Sequence, residues 1–208
     1  MMPVESANAI SLRLAGALLL SGGIVFLIGA LSPPWEQWYA PLQRALQIIG
    51  GHRVAWYWIH TCFVIGVILT ILGFVALAHG LRATPAGLLA SLIGVLYVTG
   101  AVFWLVNIAF RGTVQVWAAG EVVRTGNIPP EYEPLRRWAG LLFSLYMVLA
   151  YLANAGLGWL MLRTGLVPRW AGWLAVILGV TGGGVVGMSV PLVVHIPLIV
   201  IGAFLLRP

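Results

Sequence analysis

The chain has 208 residues, of which 61% are hydrophobic and 8% are charged, with a formal net charge of +6. Soluble proteins carry about 25% charged residues, so the composition argues against a water-soluble domain and is typical of a membrane protein. All basic residues are Arg, and their densest cluster is the pair Arg136 and Arg137. A nucleic-acid-binding surface needs basic residues clustered on one face, so nucleic acid is excluded as a partner. The single cysteine, Cys62, excludes an intrachain disulfide.

Six apolar segments predict the fold. A bilayer core of roughly 30 Å requires about 20 apolar residues per helix. The segments that are free of Arg and Glu and long enough are Leu14–Leu31, Val54–Ala78, Pro85–Phe110, Trp138–Leu162, Trp170–Gly187 and Val190–Leu206. We therefore expect an all-α, polytopic transmembrane bundle of about six helices, forming one domain over residues 1–208.

The first segment resembles a secretory signal only superficially. Its apolar stretch of about 18 residues exceeds the 7–15 of a signal core, and no small-x-small cleavage site follows it. We predict an uncleaved first span.

The first long loop, residues 32–53, contains a predicted amphipathic helix. Its apolar residues Leu42, Ala45, Leu46 and Ile49 recur at helical spacing, and Gly50 with Gly51 is expected to end it. The helix lies either at the membrane interface or as a cap over the bundle.

The second long loop, residues 111–137, predicts a continuation of the third helix through Thr113 to Arg124. The fourth helix should begin near Glu133 and Pro134, with an acidic residue and a proline in its first turn. Glu133 and Arg137 then form an i,i+4 pair.

The last two spans share the residues between Arg169 and Arg207. Glycines 182–184, Gly187 and Pro191 supply turn formers near the middle, which favours a hairpin over a kinked or re-entrant segment. Six spans place both termini on one side of the membrane. Arginines on that side fall in short loops close to helix ends, where the positive-inside bias operates, so we predict cytoplasmic termini.

Two histidines, His60 and His195, lie well inside predicted spans. Ionisable groups at membrane depth mark function by default. At a rise of 1.5 Å per residue, His60 lies about 9 Å and His195 roughly 8–10 Å from the same membrane face. Two imidazoles at one depth could ligate a haem iron, a chlorin magnesium or a soft metal, or relay protons to a quinone. Alternatively, each only hydrogen-bonds a neighbouring group.

Two uncharged polar residues, Asn107 and Tyr146, lie near the level of these histidines and could line one polar cavity with them. The predicted ligand-binding set is therefore His60, His195, Asn107 and Tyr146. Because Cys62 points about 200° around the helix from His60, no local metal site is predicted. No Glu or Arg falls inside a predicted span, which disfavours ion-driven transport.

The stretch Leu160–Leu174, followed by a glycine-rich helix and by Pro191 to Pro208, resembles the carboxy-terminal part of small six-helix bacterial membrane proteins of unknown function. The resemblance covers about the last 50 residues. It implies a bacterial inner-membrane protein and carries over no catalytic residue.

The leading functional hypothesis is a non-catalytic accessory subunit of a membrane complex, or a binder of a lipophilic small molecule, with the lipid bilayer and other membrane subunits as partners. One alternative is a redox protein that holds a haem, chlorin or metal through His60 and His195. Another is an uncoupled channel or facilitator. The sequence assigns no catalytic residue.

Overall fold

The computed structural model describes residues 8–182 and 192–207, and 86% of them are helical, with no strand. The all-α prediction is confirmed. The helices are α1 (Ala9–Ala30), α2 (Leu42–Gly51), α3 (Arg53–Leu81), α4 (Gly87–Gly112), α5 (Val114–Thr125), α6 (Tyr132–Thr164), α7 (Arg169–Gly182) and α8 (Leu192–Leu205), with a 3₁₀ turn at Trp35–Trp38 before α2.

Four predicted spans are confirmed as long apolar helices. α1, α3, α6 and the continuous run of α4 and α5 are long and apolar enough to cross a membrane. α3 has 29 residues and α6 has 33, lengths of about 44 and 50 Å. Both therefore extend past the predicted bounds and beyond a bilayer core of about 30 Å.

The last two predicted spans are shorter than expected where they are described. α7 and α8 have 14 residues each, or about 21 Å, which is less than the thickness of a bilayer core. The predicted turn of the hairpin falls on residues 183–191, outside the described residues. The count of six spans therefore stays a prediction.

Local signals in the sequence set several helix ends. Asn8 caps α1, since its side-chain oxygen accepts a hydrogen bond from the Ser11 backbone N–H at 3.2 Å. α5 and α6 both end at glycines in the left-handed conformation, Gly126 (φ 76°) and Gly165 (φ 69°), where a side chain would be strained.

Six helices form a closed ring in chain order. α1 packs on α3, α3 on α4, α4 on α6, α6 on α7 and α7 on α8, and α8 returns to α1. Glycines allow close approach of these backbones. A Cβ on Gly66 of α3 would lie 2.8 Å from the Gly22 carbonyl oxygen of α1. The two short helices α7 and α8 thus complete the ring that the four long helices begin.

The outward faces of the ring carry large apolar side chains. A helix bundle in water places polar residues on such a face. Here exposed residues include Ile24, Ile28, Ile65, Leu72, Leu88, Leu92, Val95, Val148, Leu152 and Ile177. This surface has the character of one that contacts lipid.

One end of the ring is covered by the 3₁₀ turn, α2 and α5, which we call the cap. α2 packs on α5, and Leu46 and Ile49 are buried there. Gln43 Nε2 donates a hydrogen bond to the Gly126 carbonyl at 2.6 Å. The predicted helix is confirmed, and it ends at Gly51 as expected; Gly50 lies against Ala119 of α5.

The beginning of α6 matches the prediction and adds a contact to it. Glu133 pairs with Arg137 at 3.0 Å and also with Arg136 at 2.9 Å. One carboxylate therefore neutralises part of the charge of two adjacent arginines at the cap end of the ring.

Candidate functional site

The middle of the ring is filled by aromatic side chains arranged around Trp104 of α4, which is 1% exposed. Its ring lies 4.9 Å from Tyr146, 5.7 Å from Phe63 and 6.0 Å from Phe26. Trp104 therefore joins α1, α3, α4 and α6 at one point.

His195 and Tyr146, two of the predicted residues, lie together in this aromatic core. The Tyr146 hydroxyl is 3.4 Å from His195 Nε2, a long hydrogen bond. The imidazole stacks on Phe26 with ring centroids 3.7 Å apart. His195 Nδ1 is buried and has no partner among the described residues.

His60 lies on the cap side of the same core. Its Nδ1 is 2.7 Å from the Trp56 carbonyl oxygen. Because a carbonyl only accepts, Nδ1 carries the hydrogen and Nε2 is left as an acceptor. That Nε2 is buried without a partner in the part of the chain that the structure describes.

Two phenylalanine side chains separate the two histidines. His60 meets the edge of Phe63 at 5.6 Å, Phe63 stacks on Phe26 at 4.5 Å, and Phe26 stacks on His195. Two phenyl rings therefore occupy the path between the imidazoles.

Asn107 lies apart from this pair, at the cap end of α4. Its Nδ2 donates to the Ala139 carbonyl of α6 at 2.7 Å, and its Oδ1 accepts from Arg111 Nε at 2.7 Å. Asn107 thereby links α4 to α6 and positions the Arg111 side chain.

Arg111 was predicted in the second long loop, but it lies in the last turn of α4. Its guanidinium carbon lies 5.8 Å from the ring centres of Trp38 and Phe143 and 5.9 Å from that of Trp104, within the range of cation–π attraction. One signal could have found it: Tyr97, Trp104 and Arg111 are spaced by seven, which places them on one helix face.

A cavity of about 360 Å³ lies between the cap and this end of the ring. Its volume is within the range of about 300–1,000 Å³ that is typical of small-molecule sites. Aromatic and polar side chains both line it, among them Gln37, Trp38, Trp56, Asn107, Phe110, Arg111, Tyr132 and Phe143. Of the four predicted ligand-binding residues, Asn107 alone is among the residues that line it.

Asn154 forms a hydrogen bond between two helices. Its Nδ2 donates to the Val194 carbonyl at 2.7 Å, which ties α6 to α8 one residue before His195.

Within residues 8–182 and 192–207, no group of three or more His, Cys, Asp or Glu side chains could hold a metal ion. Comparisons of the chain with protein-family models, with curated proteins and with solved structures find no match. The function is therefore inferred from the geometry of the cavity and of the aromatic core beside it.

We expect Asn107→Leu to lower the free energy of unfolding by about 2 kcal/mol, because it leaves Arg111 Nε and the Ala139 carbonyl unpaired. Asn127→Leu is the matched control, since Asn127 is exposed and bonds only within its own turn. Thermal denaturation in detergent measures both. Equal melting temperatures for the two variants would contradict the role given to Asn107.

Proposed function

We propose that the chain is a six-pass integral membrane protein that binds a lipophilic small molecule, without catalysis, in the cavity beneath the cap. The observation that carries the proposal is the cavity of about 360 Å³, in which aromatic rings and polar groups converge. Binding sites in membrane and soluble proteins combine an apolar wall with a few polar groups that orient the ligand.

The apolar outward surface of the ring supports the membrane part of the proposal. Four helices have the length and composition for a span, and α7 and α8 pack between α6 and α1. At the other end of the ring, five arginines lie close to helix ends, which favours termini in the cytoplasm. They are Arg13, Arg82, Arg163, Arg169 and Arg207. The resemblance of the last 50 residues adds a bacterial inner membrane as the expected location.

The redox alternative has one observation in its favour and one against it. His60 Nε2 and His195 Nδ1 are buried without partners, as unused ligand atoms would be. However, Phe26 covers the His195 ring at 3.7 Å and stacks on Phe63, so a porphyrin between the histidines would have to displace both phenyl rings.

The other sequence-based alternatives are an accessory subunit and an uncoupled facilitator. An accessory role is compatible with ligand binding, and copurification of a partner protein would support it. A facilitator needs a path through the ring, where Trp104, Phe26, Phe63 and Tyr146 pack against one another. Solute flux into liposomes tests that alternative.

The proposal is tested by identifying what copurifies with the full chain. We expect mass spectrometry of a solvent extract to find one class of lipophilic molecule in near-stoichiometric amount. Gly140 lines the cavity, and nothing lies within 4 Å of its Cβ position, so Gly140→Leu adds an apolar side chain at the cavity wall and should lower the amount of bound molecule. Gly51 also faces open space but is not among the residues that line the cavity, and Gly51→Leu should keep it.

Two results would overturn this proposal. One is an extract of Gly140→Leu protein that matches the wild-type extract, because the molecule would then lie elsewhere. The other is a Soret or Q band in the absorption spectrum of the purified wild type, which would favour the pigment alternative.

A further inference from the structure

The Arg111 guanidinium lines the cavity and has no counter-ion among the described residues. The ion pairs among the described residues join Glu133 to Arg136 and Arg137 and Glu121 to Arg124, and none of them includes Arg111. Only its Nε makes a hydrogen bond, to Asn107 Oδ1. The two terminal amino groups, which form the fork that binds carboxylate or phosphate, make none within the described part of the chain.

Gln37 is a second unsatisfied group on the same cavity. Its side chain is 7% exposed, and neither Nε2 nor Oε1 has a hydrogen-bond partner among the described residues. Gln37 lines the cavity together with Arg111. A buried amide without partners is costly, and a ligand that accepts a hydrogen bond from Nε2 would remove part of that cost.

The other side chains that line the cavity indicate the charge and the shape of the ligand. Arg136 also lines the cavity, but Glu133 holds its Nε and Nη2 at 2.9 Å. The unbalanced charge at the cavity is therefore positive. Trp38, Phe110 and Phe143 line other parts of the wall, and the faces of their rings suit the apolar part of a ligand.

We propose that the cavity binds the anionic headgroup of an amphiphilic molecule, a carboxylate or a phosphate, with Arg111 and Gln37 as its donors and the aromatic wall around its apolar part. This inference rests on the function proposed above, because it concerns the same cavity, and it adds the charge of the ligand. Arg111 lies at the cap end of α4, where the headgroups of a surrounding bilayer would be.

The test compares lipids that share an oleoyl chain and differ in their headgroups, two of which are anionic and one neutral. The full chain in detergent is titrated with oleic acid, oleoyl-lysophosphatidic acid and methyl oleate, and binding is followed by native mass spectrometry. We expect at least one of the two acids to bind tenfold or more tightly than the methyl ester, since a charge-assisted hydrogen bond contributes about one to two orders of magnitude in affinity.

Three variants test whether Arg111 causes the preference for the acids over the ester. Arg111→Gln should remove the preference for the acid, whereas Arg124→Gln, which lowers the net charge equally at an exposed pair with Glu121, should keep it within about twofold. Gln37→Leu keeps the charge of Arg111 and should weaken acid binding several-fold. It also reports on the site if Arg111→Gln does not fold.

The outcomes separate the two proposals. If acid and ester bind alike and Arg111→Gln changes neither, the headgroup inference is wrong while ligand binding stands. If inorganic phosphate competes with the acids at equal concentration, the ligand is a free anion, and the amphiphile is wrong. If none of the three lipids binds and the solvent extract is empty, both proposals fail.

Discussion

Trp104→Ala is expected to lower the free energy of unfolding by about 4 kcal/mol, the middle of the range for removing a buried large aromatic side chain. The indole is 1% exposed and touches Phe26, Phe63, Phe143 and Tyr146. Its removal would leave a hole where four helices of the ring meet. The melting temperature in detergent should fall by on the order of 10 °C.

Two control variants separate packing from other effects. Trp104→Phe should cost less than half as much, because it keeps most of the ring and Trp104 Nε1 has no hydrogen-bond partner among the described residues to lose. Trp173→Ala removes a tryptophan that is 50% exposed and should change the free energy by less than about 1 kcal/mol. A Trp104→Ala protein as stable as Trp173→Ala would show that Trp104 does not organise the core.

Gly66→Ala is expected to destabilise the protein by about 3 kcal/mol, because overpacking forces backbones apart. The added Cβ would lie 2.8 Å from the Gly22 carbonyl oxygen and 2.9 Å from the Phe26 backbone nitrogen. Neither atom is on a flexible side chain, so α1 and α3 would have to separate. That shift would also move Phe26 of α1 away from Phe63 of α3.

Gly51→Ala is the control, and it is expected to raise the free energy of unfolding. Gly51 is helical too, but nothing lies within 4 Å of its Cβ position. Alanine there should stabilise the protein by about 0.5–1 kcal/mol through its higher helix propensity. Unfolding titrations with SDS, followed by circular dichroism, compare both variants with the wild type. If the two substitutions shift stability in the same direction, the close α1–α3 contact is not as described.

The aromatic core and the cavity could be predicted only in part. His195 and Tyr146 were expected near one level, and they lie in contact. His60 and His195 were expected at one depth, either to ligate one group together or to bond separate neighbours, and Phe26 and Phe63 lie between them. Spacing along a helix predicts depth, but it does not predict which side chain of a neighbouring helix fills the space between two residues.

The cavity is lined by residues that lie far apart in the sequence, so no local sequence pattern predicts it. Gln37 lies in the 3₁₀ turn before α2, and Arg111 lies in the last turn of α4. They line the same cavity because the cap folds over the end of the ring. The sequence places both residues outside the predicted apolar spans, where a charged side chain is usually solvated and attracts no functional interpretation.

By itself, the sequence determined the helical class, the positions of α1, α3, α4 and α6, the short helix in the first loop and the paired charges at Glu133. These features follow from apolar run length, from spacing within one helix and from residues at helix ends, which all act over a few turns of chain. The tertiary structure alone decided how the ring closes, what separates the histidines and where Arg111 points. Those depend on which helices meet and how closely, and that is set by side-chain shape and glycine contacts between segments far apart in the chain.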